Sequence, residues 1–170
     1  NRPSNPLVTA GAIAATARIR GASRDERLER ILDAFRRFTG RRLEIDESVY
    51  KSESLTGYRN RAIAYLEINS GMIDGDVEDH LELYFIQCSL LVTARDIAVI
   101  GATLANGGVN PLTGERAIAA DHARSVLSVM NSCGMYNYAG SWQFDVGLPA
   151  KSGVGGGITA VLPGQLGIGV

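Results

Sequence analysis

The chain is 170 residues long, 45% hydrophobic and 21% charged, with a net charge of −1. That length suits one domain, or most of one, with a sizeable buried core, and the balanced charge offers nothing to a nucleic acid or an anionic membrane surface. No apolar run approaches the roughly 20 residues that a membrane-spanning helix needs.

In chain order, a turn at Pro3 to Pro6 precedes "AGAIAATARI", a small-residue helix ending near Gly21. Ser23 and Glu26 form a capping box, Ser-x-x-Glu, ahead of "RLERILDAFRRF". There Leu28, Ile31, Leu32, Phe35 and Phe38 recur at helical spacing opposite a row of arginines, and Gly40 closes the helix. The stretch "EIDESVYKSE" alternates more like a strand or extended loop, which turns Ser48 and Lys51 to opposite faces. "YRNRAIAYLEIN" is predicted helical up to Gly71, and Asp76 begins another helix through "VEDHLELYFIQCSLL". Thr93 and Asp96 cap "ARDIAVIGATLAN", which ends at "NGG"; "NPLTGER" is a loop, and "AADHARSVLSVMNSCG" is a helix stopped at Gly134. Beyond it "SWQFDVGL", "GGITAVLPG" and "QLGIGV" alternate, are rich in glycine and are predicted to be strands.

The expectation is an α/β, α+β layered domain, mainly helical over 1–134 and mainly strands over 135–170. The run "QLGIGV" reads as an unfinished strand, and a start at "NRPSNPLV" shows no leader pattern, so the 170 residues are expected to be part of a longer protein. Cys88 and Cys133 have no paired spacing and are expected as two buried thiols in a reducing compartment. His80 and His122 are far apart in sequence, which argues against a metal site.

Two short motifs raise an acyl-transfer question. Ser48 and Lys51 stand three apart, the spacing at which a lysine on a helix can activate a serine, and Lys151-Ser152-Gly153 sits in a glycine-rich strand edge. Neither motif is specific alone. The strings "NPLVTAGAI", "SESLTGYRNRAIAYL", "GATLANGGVNPLTGER", "SCGMY" and "GLPAKSGVGGG", in that order, together resemble the serine-dependent glutaminases, which have the β-lactamase/penicillin-binding protein fold. The resemblance runs through most of the chain.

It implies hydrolysis of L-glutamine to L-glutamate and ammonia through a seryl acyl-enzyme, without a cofactor, in a cytoplasmic homotetramer. It also implies that the nucleophile belongs to a Ser-x-x-Lys motif upstream of Asn1, so that Ser48 is a coincidence. Carried over position by position, Glu53 pairs with the substrate ammonium and Asn60 with its polar groups. Tyr84 and Tyr136 line the site, where either one binds substrate or passes a proton between serine, lysine and the leaving ammonia; Lys151 stands in the Lys-Ser-Gly box, and Val154 offers its backbone N–H to the oxyanion. One departure stands out: Thr9 occupies the place where the family has a substrate-binding asparagine. Two alternatives stay open, a penicillin-binding or β-lactamase-type acyl hydrolase and a non-catalytic homologue acting as a scaffold.

Overall fold

A computed structural model describes residues 5–170; the turn expected at Pro3 to Pro6 falls largely outside them. The contacts divide the chain into two units. One holds the described residues up to Leu32 together with Leu43–Leu91, and the other holds Asp33–Arg42 with Val92–Val170.

The first unit is helical. It contains α1 (Thr9–Ala17), the N-terminal half of α2 (Arg24–Thr39), α3 (Glu47–Thr56), α4 (Tyr58–Asn69) and α5 (Val77–Cys88). The caps read from the sequence are present. Glu26 N–H donates to Ser23 Oγ at 3.2 Å and the Glu26 carboxylate accepts from Ala22 N–H at 2.7 Å. Asp76 accepts from Asp79 N–H at 2.9 Å at the start of α5. Each such cap satisfies a backbone donor that the helix itself cannot. Around them Ile13, Ala64, Ile73, Val77, Leu81 and Phe85 form a buried cluster. Leu81 and Phe85 are essentially inaccessible, and full burial of such a side chain is worth about 1.5–3 kcal/mol. His80 is buried too, where Arg27 Nη2 donates to its Nδ1 at 3.0 Å and its Nε2 bonds the Asp74 carbonyl at 2.6 Å. That histidine is structural.

The stretch expected to be extended is α3. The signal that decides it is Asp46, whose carboxylate accepts from the N–H groups of Ser48 and Val49 at 2.9 and 3.1 Å. With Asp46 as cap, Val49 is a single β-branched residue inside a short helix rather than part of a strand pattern.

Glu67 on α4 is 4% exposed, and neither carboxylate oxygen has a partner among the described residues. Burial pushes its carboxyl above the usual value. Below the ordinary carboxylate range Glu67 is neutral folded or unfolded and costs little charge. As pH rises through that range the unfolded chain ionises first, so the native state loses stability until the pH passes the folded value. Glu67→Leu is therefore expected to raise stability at pH 7 by about 1–3 kcal/mol. It should also flatten the dependence between acid and neutral pH. Denaturant melts of both proteins across that range check this.

The second unit holds the C-terminal part of α2, then α6 (Ala94–Ala105), α7 (Ala120–Cys133), a 3₁₀ turn (Tyr136–Tyr138), α8 (Ala139–Asp145) and strands β1 (Ala150–Ser152), β2 (Ile158–Leu162) and β3 (Leu166–Gly169). The strands form one antiparallel sheet in the order β1-β2-β3, with Lys151 opposite Thr159 and Ala160 opposite Ile168. Helix α6 lies against β2 and β3. Its close approach depends on glycine: a Cβ on Gly167 would lie 2.0 Å from the Ala102 nitrogen. Thr159 Oγ1 donates to the Ile97 carbonyl at 3.2 Å and adds a polar tie.

"SWQFDVGL" is not a strand; most of it belongs to α8. Its alternation does not mark one buried face, because Trp142 packs beside Met135, Ala150 and Ala160 whereas Phe144 is 91% exposed. The spacing Ala139 to Trp142 is a helical one, and both side chains reach that cluster. Trp142 Nε1 then donates to the Leu148 carbonyl at 2.8 Å and anchors the exit from the helix. The helical body followed by a small antiparallel sheet otherwise matches the expectation. The cysteines depart from it: both are thiols, but Cys88 is exposed and Cys133 only half-buried. No described helix is long and apolar enough to cross a membrane.

Candidate active site

In the first unit, Glu53 lies on α3, Asn60 in the first turn of α4 and Tyr84 on α5; all three are half-buried. One arginine ties their helices together. Arg61 on α4 donates to the Ser54 carbonyl at 3.0 Å and, in a forked pair at 2.8 and 2.9 Å, to Glu78 on α5. Its guanidinium also lies 5.7 Å from the centre of the Phe85 ring. A forked Arg–carboxylate pair fixes orientation as well as distance, so the helices that carry Glu53, Asn60 and Tyr84 are held in register.

Tyr84 sits at the centre of a small polar group. Thr9 on α1, Cys88 on α5 and Glu53 on α3 are its polar neighbours. Burial, then the neighbouring Cys88, hold this phenol well above its ordinary value, while Thr9 acts the other way. Tyr84 is thus a neutral hydroxyl at any physiological pH, able to donate one proton and accept another. Thr9 had been singled out at the family's substrate-binding position, whereas Cys88 was not expected in this group, although its i, i+4 spacing from Tyr84 on α5 was a readable signal.

In the second unit, Tyr136 has a backbone φ of 52°, the one left-handed non-glycine residue among those described. An aromatic residue there is strained by about 1–3 kcal/mol, a cost that recurs at functional sites. Its ring is partly exposed, and the Lys151 ammonium lies 4.5 Å from the ring centre. Lys151 Nζ also donates to the Ser152 carbonyl. Gly134 lets this pair form: Ser152 N–H donates to its carbonyl at 3.2 Å, and a Cβ at residue 134 would lie 1.8 Å from the Ala150 oxygen. Past β1 the chain turns tightly, with Gly153 N–H donating to the Gly157 carbonyl at 2.8 Å. Val154 stands at the tip, 96% exposed. Its N–H donates no hydrogen bond among the described residues.

The six expected site residues therefore fall into two groups, Glu53, Asn60 and Tyr84 in one unit and Tyr136, Lys151 and Val154 in the other. Ser48 joins neither. Helix α3 does put Ser48 and Lys51 at helical spacing, but the Ser48 hydroxyl donates to Asp46 at 2.7 Å as part of the cap. A cavity of about 340 Å³ runs along this helix, lined by Glu47, Tyr50, Lys51, Ser54 and Leu55 and by none of the six. No group of three His, Cys, Asp or Glu among the described residues could hold a metal ion.

If residue 9 reaches the substrate, Thr9→Asn in the full-length protein supplies a longer side chain with a second donor. Glutamine or glutamate should then bind more tightly by calorimetric titration. Equal or weaker binding would mean that the site is built around Thr9.

Comparisons with known proteins show the family. The sequence profile of the glutaminase family matches residues 1–170. The chain is 59% identical to a glutaminase of Microcystis aeruginosa over 169 residues, which is 99% of this chain and 50% of the relative. The chain thus spans about half the length of the curated relatives it matches. Among solved structures, Mglu in its glutamate form superposes with a TM-score of 0.93 at 46% identity, covering 98% of this chain and 39% of that one. The Bacillus subtilis glutaminase YbgJ, in covalent complex with 5-oxo-L-norleucine formed by reaction with 6-diazo-5-oxo-L-norleucine, gives a TM-score of 0.93 at 40% identity, covering 98% of this chain and 60% of that one. With a helical body, an antiparallel sheet and a profile match from end to end, the chain belongs to the glutaminase family, with its β-lactamase-like fold.

Proposed function

We propose that these residues are part of one glutaminase domain, and that the full protein hydrolyses L-glutamine to L-glutamate and ammonia through a seryl acyl-enzyme. The observation that carries this reading is the end-to-end match to glutaminases, one of which forms a covalent complex with 5-oxo-L-norleucine. That compound is glutamine with a carbon in place of the amide nitrogen. The reagent loses its diazo group as dinitrogen from that carbon when an enzyme nucleophile bonds to it, so in that relative a nucleophile stands beside the position of the amide.

The residues described above have the chemistry each step needs. Glu53 is an anion for the substrate ammonium, and Asn60 is an amide that can donate and accept. The backbone N–H of Val154 suits an amide oxygen that becomes negative; removing one such donor typically slows a reaction by about 10²–10³. The hydroxyls of Tyr84 and Tyr136 are groups that can hand a proton to departing ammonia, and the Lys151 ammonium lies over the Tyr136 ring. Attack by a serine forms the glutamyl ester as the C–N bond breaks and ammonia leaves with a proton; water then cleaves the ester to glutamate and restores the serine. That serine is placed in the part of the longer relatives that this chain does not span. No metal or redox group is required. The protein is proposed to act as a homotetramer in the cytoplasm, where its thiols stay reduced.

The test is direct. The full-length protein, without added cofactor, should release glutamate and ammonia from glutamine in equal amounts and leave β-lactams intact. β-lactam turnover without glutamine turnover would give the site to the other acyl-transfer chemistry of the fold, and turnover of neither would leave a scaffold.

A further inference from the structure

We propose that Arg61 is a positioning residue: it fixes the spacing between Glu53 and Asn60, the carboxylate and the amide that hold the amino-acid end of glutamine. The inference rests on the proposal that those two residues bind glutamine, and it names what keeps them in place.

Three observations carry it. Arg61 follows Asn60 directly on α4, and its Nη2 donates at 3.0 Å to the carbonyl of Ser54, the residue after Glu53 on α3. That carbonyl lies in the last turn of α3, where the helix has no N–H of its own left to offer. The helix that carries Asn60 therefore closes the helix that carries Glu53. The same guanidinium is held from α5: Nε and Nη2 fork onto the Glu78 carboxylate at 2.8 and 2.9 Å, over the face of the buried Phe85 ring. Finally, a single residue, Gly57, joins α3 to α4 and rests on that ring. A Cβ at Gly57 would lie 2.5 Å from Phe85 Cζ and 2.7 Å from the Glu53 carbonyl oxygen.

Glutamine carries its ammonium and its carboxylate on one carbon, so the groups that recognise that end must keep a fixed separation. The chemistry of the link asks for arginine. A guanidinium is planar, holds its donors at fixed angles, and meets a carbonyl, a carboxylate and a ring face at once. A lysine ammonium is a point charge on a flexible stem and cannot keep all three. Glu78 is more than half-exposed, so the ion pair adds little to overall stability; what it sets is the register of α3 against α4. Glu53 meets the ammonium in the ground state and the transition state alike, so a loss of register reads mainly as weaker binding. Arg61 itself need not touch substrate.

The test is a double-mutant cycle in the full-length protein, read as kcat and KM for glutamine. Arg61→Lys is expected to raise KM about three- to tenfold, with kcat within about twofold of the wild type and the melting temperature unchanged. In a Glu53→Ala background the same lysine should cost less than about twofold, because no carboxylate is left to place. Where lysine disturbs folding by circular dichroism, Glu78→Gln, which weakens the fork from its exposed end, replaces it. The proposal is overturned if Arg61→Lys keeps a wild-type KM while Glu53→Ala is impaired, if the loss falls on kcat alone, or if lysine costs the same with and without the Glu53 carboxylate. Wild-type kinetics for Glu53→Ala would instead remove Glu53 from the site, a separate failure that takes the arginine's role with it.

Discussion

Replacing Glu53 with alanine in the full-length protein lowers kcat/KM for glutamine by at least about tenfold, because a charge-assisted bond to the substrate ammonium is worth about 1.5–3 kcal/mol. The loss should follow charge rather than shape, so Glu53→Gln, nearly isosteric, should be impaired almost as much. Glu53 sits on a helix pinned by the Arg61 bond to the neighbouring Ser54 carbonyl, and the change removes a half-buried side chain without touching that bond. The melting temperature should therefore stay close to the wild-type value while kinetics fall. Unchanged efficiency with glutamine would remove Glu53 from the site.

The largest effect on stability is expected at Asp96. Its carboxylate takes a forked pair of bonds from Arg41 at 2.7 and 2.6 Å. It also closes the capping box of α6, accepting from the N–H and hydroxyl of Thr93 at 2.7 and 2.8 Å. Asp96→Ala gives up the cap and both charge-assisted bonds at once. Arg41 is half-exposed and can return to water, which limits the cost to about 2–4 kcal/mol. The bonds from Arg41 come first, ahead of those from Thr93, in holding this carboxyl far below the ordinary carboxylate range. Its contribution is accordingly complete above the unfolded carboxylate value and is lost as pH falls through the folded one. Acid melts of the wild type and Asp96→Ala should converge at low pH and diverge by neutral pH. Parallel curves would show that the pair contributes nothing.

Both residues illustrate what the sequence made readable. The helices with capping side chains, at Ser23 and Glu26, at Asp76, and at Thr93 and Asp96, were legible because a capping side chain and a hydrophobic period agree on the same start. Helix α3 was missed because its cap, Asp46, was set aside for a faint alternation, and α8 because six alternating residues cannot separate a strand from a helix turn. The approach of Thr9 to Tyr84 was beyond reach for another reason: it depends on α1 packing against α5, which apolar patterning permits but does not specify. The left-handed backbone of Tyr136 was equally hidden, since only glycine or asparagine would have announced it. The candidate site residues themselves came from the family resemblance; helical and strand periods alone would have left Tyr84 as an ordinary core tyrosine.

The central claim is that this chain supplies the substrate cradle of a glutaminase while the attacking serine lies elsewhere in the full protein. Trapping with 6-diazo-5-oxo-L-norleucine followed by peptide mass mapping tests it most directly. The expected result is a single adduct on a serine outside the 170 residues, with Ser48→Ala labelled as fast as the wild type because the Ser48 hydroxyl serves the Asp46 cap. An adduct on Ser48, or on any residue between 1 and 170, would contradict the account.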